Sequence, residues 1–182
     1  MIYLLYKRIM KLFIADLNQI INNGDFLSTA KSKLLPEDLR RFNAYFHSAR
    51  AMQFLVGRFL VATYISPNYQ TLSSGKVTVP NGYISIAHSK NFVVLAASES
   101  PVGVDIEAID LKRNHKKIAD RMKFKNAQSP LEFFKLWTAY EADYKLGQPQ
   151  IKPVHTYIEH FGFLICTATP MPEDIEKIDC ML

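Results

Sequence analysis

The chain has 182 residues, 48% of them hydrophobic, with 22 basic against 17 acidic side chains and a formal net charge of +5. That length holds one domain or two small packed halves, and no apolar run approaches the roughly 18 residues that mark a membrane span. Seven Gly and nine Pro exclude a fibrous or low-complexity chain, and the positive charge points to an acidic partner: nucleic acid, a phosphate ligand or an acidic protein.

In chain order, the start mixes bases into a short apolar stretch with no small-residue cleavage site, so it does not read as a signal peptide. Met10 leads into a strand at Lys11–Asp16, and residues 1–9 read as an upstream extension. Pro36 opens a helix whose first turn carries Glu37 and Asp38, acids suited to the positive helix end. Met52, Leu55, Val56, Phe59, Leu60 and Tyr64 recur at helical spacing and predict a helix from Ala49 to Ile65, stopped by Ser66-Pro67-Asn68. Short strands are predicted around Val77, then at Tyr83–Ala87, Phe92–Ser98 and Val102–Glu107, with Lys90-Asn91 as a tight turn. The continuous apolar run Phe92–Ala96 reads as a buried strand. Ser129 and Glu132 make a capping box for a helix that runs to Leu146 and ends at Gly147. Two strands follow, His155–His160 and Phe163–Thr169, joined at Gly162. This order predicts an α+β fold.

The charge is concentrated. Between Leu111 and Lys125, seven bases (Lys112, Arg113, Lys116, Lys117, Arg121, Lys123, Lys125) meet Asp120 alone, a +6 stripe on a body of −1. Just upstream, Glu99, Asp105, Glu107 and Asp110 stand with no base among them, and an acidic cluster abutting a basic one suits a site for a metal and anions. Cys166 lies in an apolar run and Cys180 near the end; two cysteines imply no disulfide framework and fit reduced thiols in the cytoplasm.

Four local features carry chemistry. In Gly103-Val104-Asp105-Ile106-Glu107, strand alternation puts both carboxylates on one face and both apolar side chains on the other. Two carboxylates so close repel unless a cation sits between them, and hard oxygen donors without nearby His or Cys suit Mg²⁺ rather than zinc. A solvated strand face is the plain alternative. Trp137, Glu141 and Lys145, spaced i, i+4, i+8, line one helix face; they supply a third acid and a phosphate-binding lysine, or else an ordinary surface Glu–Lys pair beside a core Trp. His88 closes the strand Ser85-Ile86-Ala87-His88-Ser89, and Gly75-Lys76 precedes another strand.

In this order, Gly75-Lys76, His88-Ser89, an apolar strand, the GVDIE pentapeptide at 103–107 and the W-T-x-x-E-A-x-x-K pattern at 137–145 resemble the 4′-phosphopantetheinyl transferase superfamily, from about Leu35 to Pro170. The length and two-part layout look like its monomeric, Sfp-like type. The resemblance implies two pseudo-symmetric α+β halves, residues 1–98 and 99–182, with coenzyme A in the cleft between them. It implies Mg²⁺-dependent transfer of the 4′-phosphopantetheine arm of coenzyme A to a serine of an apo carrier protein, releasing adenosine 3′,5′-bisphosphate. Carried over by position, the metal ligands are Asp105, Glu107 and Glu141. Lys145 contacts the coenzyme A phosphates, His88 the nucleotide phosphate, Lys76 belongs to the family's Gly-Lys-Pro element, and Arg41 falls near the 3′-phosphate contact, with Arg50 and Arg58 in reserve. Glu141, or a metal-held water, takes the serine proton, and Lys145 acts beside it.

The implied partner is an acyl or peptidyl carrier protein docking on Lys112–Lys125, and the implied protein is a cytoplasmic monomer without nucleic-acid or membrane partners. Three positions depart from the pattern: Tyr140 stands where Lys is frequent, Ala87 where Ser is usual, Val77 where Pro is common. They define a second reading, an impaired homologue that binds coenzyme A or a carrier without turnover. A nucleic-acid module using residues 112–125 is a third, poorly served because Phe124 is the stripe's lone aromatic.

Overall fold

The structure, a computed structural model, describes residues 8–20, 25–125, 127 and 129–180. Of the expected extension, residues 1–7 lie outside the described residues, and Ile9 already belongs to the first strand. The elements are β1 (Ile9–Asp16), α1 (Leu17–Ile20), α2 (Phe26–Ser32), α3 (Pro36–Asn43), α4 (Ser48–Leu60, continued by a π-helical turn at Val61–Ile65), β2 (Gln70–Thr71), β3 (Val77–Thr78), β4 (Tyr83–Ser89), β5 (Phe92–Ser98), β6 (Gly103–Ala108), α5 (His115–Met122), α6 (Pro130–Leu146), β7 (Val154–His160), β8 (Phe163–Thr169) and β9 (Asp174–Cys180). The fold is α+β, as the sequence predicts.

Two sheets organise it. The first runs β4-β5-β1-β9, antiparallel except for β1 and β9, which pair in parallel with Phe13 opposite Ile178. The second is the antiparallel meander β6-β8-β7. Alternation along β1 and β5 divides the core. Phe13, Ala15, Val93 and Leu95 face α2 and α4, where they meet Phe26, Leu55, Val56 and Phe59. Met10, Leu12, Ile14, Val94 and Ala96 face the second sheet, where they meet Val104, Ile106, Phe163 and Ile165. A strand covered on both sides has no polar face to show, which is why residues 92–96 read as an unbroken apolar run.

Helix α6 covers the far side of the second sheet. Ala139, Ala142 and Leu146 pack on Cys166 and Ala168, and Phe133 and Phe134 pack on Leu164. Ser129 accepts from the Glu132 amide while the Glu132 carboxylate accepts from the Ser129 amide, so the predicted capping box is formed, and Gly147 ends the helix at φ 69°. The approach of α6 to β6 is set by Gly103: a Cβ there would stand 2.8 Å from the Leu146 nitrogen and overlap the Ala142 carbonyl oxygen.

Sequence periodicity missed α1, α2, β2 and β9. The β9 segment, Asp-Ile-Glu-Lys-Ile-Asp-Cys, spaces its isoleucines at i, i+3 instead of alternating. An edge strand needs little apolar surface, and its charges protect the open edge, so the usual signal is weak. Both cysteines are free and buried. No helix among the described residues is long and apolar enough to cross a membrane.

Candidate active site

The site starts at the β6–α6 contact. Val104 and Ile106 point into the core between the sheets, which turns Asp105 and Glu107 toward α6. Lys145, near the end of α6, places its Nζ 2.7 Å from Asp105 Oδ1 and 3.1 Å from the Val104 carbonyl oxygen. An ammonium has three donors, so one remains for a ligand. Asp105 is 7% exposed, and its Oδ2 is buried with no hydrogen-bond partner. Burial pushes the Asp105 carboxyl up to about 6 against the opposing pull of Lys145, and the charges of Glu107 and Glu141 add to the rise.

Glu107 is fixed from two sides. The Trp137 indole Nε1 donates to its Oε1 at 3.2 Å, and the Ser89 hydroxyl donates to its Oε2 at 3.2 Å. Ser89 Oγ also accepts from the Ala108 amide, and Ser85 Oγ, four residues back on β4, accepts from the Val104 amide at 3.0 Å. Two hydroxyls thus join the end of the first sheet to the strand that carries the carboxylates. Glu141 is partly buried and makes no side-chain hydrogen bond or ion pair among the described residues; its charge is felt at Asp105. The three predicted metal ligands therefore share one neighbourhood, yet no three acid, His or Cys side chains among the described residues stand as a ready ligating cluster.

Beside this contact opens a cleft of about 750 Å³. Arg41, Arg50, Arg58, Lys76 and Lys145 line it, together with His88, and among the described residues no carboxylate does. Its walls come from α3, α4, the loop before β3, β4 and the end of α6. Strand β4 presents Ile84, Ile86 and His88 on the face that includes the cleft wall. The guanidinium of Arg50 donates to His88 Nδ1 at 3.1 Å, which leaves Nε2 as the ring donor. Burial first, then the charges of Arg50 and Lys145, lower the His88 pKa to about 4, so the ring is neutral near pH 7.

The four predicted phosphate-binding residues Arg41, Lys76, His88 and Lys145 all line this one cleft, and so do the reserve residues Arg50 and Arg58. Arg58, however, is 7% exposed and already engaged, with Nε 3.3 Å from Asp38 Oδ2 and Nη2 donating to the Gly75 carbonyl at 3.1 Å. Ala87 differs from expectation: its side chain is buried between the sheets, on the face of β4 opposite His88, so a serine there would not aim a hydroxyl into the cleft. Sequence reasoning missed Ser85, Ser89 and Asp38. Period-two alternation puts Ser85 and Ser89 on a common face, but nothing local says that β6 lies across from it. Tyr140 is 48% exposed and its ring neighbours Phe124 and Trp137, at centroid distances of 6.1 and 6.4 Å. All seven bases of the 112–125 stripe are exposed, and Phe124 ties the end of that segment to the aromatic cluster over Glu107.

No family model matches the chain. Among curated proteins, it is 31% identical over 153 residues to the 4′-phosphopantetheinyl transferase gsp of Aneurinibacillus migulanus, covering 73% of this chain and 63% of that one. The 4′-phosphopantetheinyl transferase ffp of Bacillus subtilis is 32% identical over 128 residues, 58% of this chain and 55% of its own. The 4′-phosphopantetheinyl transferase Sfp of Bacillus subtilis strain 168 is 31% identical over 88 residues, 42% and 39% of the two chains. The chain is a relative of the Sfp-like 4′-phosphopantetheinyl transferases. It spans between 39% and 63% of the length of these curated transferases, less than two thirds of each.

Proposed function

We propose that the protein transfers the 4′-phosphopantetheine arm of coenzyme A to a serine of an apo carrier protein, with Mg²⁺, and releases adenosine 3′,5′-bisphosphate. The observation that carries this reading is the cleft: four cations besides the already engaged Arg58, and a neutral histidine, with no carboxylate among the described residues, ending on the Lys145–Asp105 pair. A ligand with a pyrophosphate and a separate phosphate fits that distribution, because anions need paired positive groups when they leave water. Lys145, held by Asp105 and the Val104 carbonyl, offers its remaining proton to the pyrophosphate. His88 donates from Nε2. Glu141, without a hydrogen bond or ion pair among the described residues, or a water held beside it, accepts the proton of the carrier serine. The serine oxygen bonds to the phosphorus that bears the pantetheine arm, and the bond from that phosphorus to the bridging pyrophosphate oxygen breaks.

Asp105, Glu107 and Glu141 would hold the Mg²⁺. The orphaned, buried Oδ2 of Asp105 and an all-oxygen donor set fit a hard cation. When bound, the ion neutralises the pyrophosphate and the charge developing on the leaving oxygen. Residues 1–98 and 99–182 act as the two halves flanking the cleft, whose lining comes from before Ser98 and from the end of α6, with β9 of the second half crossing back to complete the first sheet. The exposed stripe Lys112–Lys125 receives an acidic carrier helix, next to the aromatic cluster that leads to Glu107. The enzyme works as a cytoplasmic monomer, a reading in which its two free, buried cysteines stay reduced.

The test is incubation with coenzyme A, Mg²⁺ and several apo carriers, followed by the intact mass of each carrier. A phosphopantetheine adduct that is lost in Glu141→Gln supports the reading; no adduct on any carrier refutes it. Tyr140 favours one second reading, a homologue that binds without turnover. Tight coenzyme A binding without adduct, and an adduct restored by Tyr140→Lys, would establish that reading. Ala87, turned away from the cleft, no longer argues for it.

A further inference from the structure

The loop that carries Lys76 into the cleft is held by two arginines from different helices. Leu72 and Lys76 close the loop by a backbone bond, the Leu72 amide to the Lys76 carbonyl at 2.8 Å, and the Gly75 amide returns to the Leu72 carbonyl at 2.8 Å. Gly75 takes φ +87°, a conformation that side-chain-bearing residues rarely adopt. The two carbonyls at its corners point to helix side chains. Arg41 of α3 donates to the Leu72 carbonyl at 3.3 Å, and Arg58 of α4 donates to the Gly75 carbonyl at 3.1 Å. Each arginine is anchored in turn by an acid of α3: Arg41 by Glu37 at 2.6 Å, Arg58 by Asp38 at 3.3 Å.

The two anchors differ in kind. The Arg41–Glu37 pair lies at the surface, and its arginine side chain is 30% exposed. The Arg58–Asp38 ion pair is buried: Asp38 is 0% exposed and accepts a hydrogen bond from the Thr71 hydroxyl at 2.9 Å, and Arg58 stacks on the Phe54 ring with its guanidinium carbon 4.6 Å from the centroid. Arg58 therefore forms part of the cleft wall without a free charge to give a ligand. Asp38 neutralises it, Phe54 covers one face, and Nη2 is spent on Gly75. A buried, fixed and neutralised arginine bound to a loop carbonyl is a tether.

We infer that Arg58 is a positioning residue for the anionic ligand: through the Gly75 carbonyl it sets where Lys76 stands, and it does not bind the ligand itself. The inference rests on the cleft being the coenzyme A site. Arg58→Lys keeps a cation but lacks the planar fork that reaches Asp38 and Gly75 together. Gly75→Ala strains the same exposed loop from outside and leaves the buried pair untouched. Two measurements are needed: backbone amide exchange without ligand, and coenzyme A affinity by calorimetry.

In Arg58→Lys, protection of the Leu72 and Gly75 amides falls by about tenfold while β5 and α6 keep theirs. Coenzyme A binding weakens about fivefold in Arg58→Lys and in Gly75→Ala, and about tenfold in Lys76→Ala. In the Lys76→Ala background, either loop variant adds less than about twofold, because the tether acts through the side chain already removed. Additive losses would mean that Arg58 contacts the ligand or that its loss disturbs the whole cleft, and would overturn the inference. So would unchanged affinity in Gly75→Ala, the variant that does not touch the buried pair. If the wild-type protein binds no coenzyme A, the functional reading falls and takes the positioning role with it; unchanged exchange at Leu72 and Gly75 with normal binding removes the tether alone.

Discussion

Replacing Gly103 by alanine tests the contact on which the site is built. The added methyl would lie 2.8 Å from the Leu146 nitrogen and 2.9 Å from the Ala142 carbonyl carbon, and would overlap the Ala142 carbonyl oxygen. Comfortable carbon contacts begin near ~3.5 Å, so the backbone of α6 must withdraw from β6 by about 0.6–0.7 Å for the first two atoms and by more than twice that for the oxygen. All three atoms belong to helix backbone, so no side chain can rotate out of the way. Overpacking of this kind costs about 1–3 kcal/mol. Lys145 moves with the helix, and its 2.7 Å bond to Asp105 lengthens past hydrogen-bond range. That adds part of the ~1.5–3 kcal/mol expected of a charge-assisted bond, reduced because the lysine side chain is 28% exposed. Urea denaturation of Gly103→Ala should show a loss of about 2–4 kcal/mol, with an unchanged slope and weaker coenzyme A binding. A loss below about 0.5 kcal/mol would refute the close-contact argument, since α6 would then have room that this geometry denies it.

Ser89→Ala removes one donor from Glu107 and the acceptor of the Ala108 amide; it should cost about 1–2 kcal/mol in urea melts and raise the Mg²⁺ concentration needed for half-maximal transfer several-fold, and an unchanged Mg²⁺ requirement would show that Ser89 does not orient Glu107. His88 titrates near 6.5 when unfolded and about 4 when folded, so as pH falls from about 6.5 to about 4 the unfolded chain takes up its proton first and stability falls. His88→Gln should flatten the stability profile across that window, as read by urea midpoints at half-unit steps; an identical slope would contradict the buried, neutral ring. The double reversal Lys116→Glu with Lys117→Glu should weaken carrier binding by tenfold or more, most at low salt, and leave coenzyme A affinity unchanged; surface plasmon resonance and calorimetry separate the two, and a joint loss would put the stripe in the nucleotide site.

Much of the site's chemistry was legible because it is local. The alternation in residues 103–107 predicts two carboxylates on one face, and the i, i+4, i+8 spacing of Trp137, Glu141 and Lys145 predicts that these three share one helix face. The structure brings Asp105 and Lys145 to 2.7 Å and links Trp137 to Glu107. The helix ends were legible for the same reason, since the bonds of a capping box join residues three apart. The orientation of Ala87 was not, although alternation alone separates it from His88. Its meaning depends on which face of β4 looks into the cleft, and only the packing of α4 and β6 on opposite sides decides that.

By itself the sequence determined whatever is written within a turn of helix or a few residues of strand: element type, caps, buried runs, a +6 stripe beside acids, and a pattern of residues in order. Tertiary structure decided what depends on segments far apart in the chain. It brought β9 back to lie parallel to β1, made Ser85 and Ser89 the links to β6, and gathered cations from residues 41 to 145 around a cleft that no acid among the described residues lines. It also buried Arg58 against Asp38 and bonded it to the Gly75 carbonyl. The physical reason is range: periodicity and capping act through neighbouring backbone, whereas a charge is spent or left free according to partners that only the packed fold brings within hydrogen-bond distance.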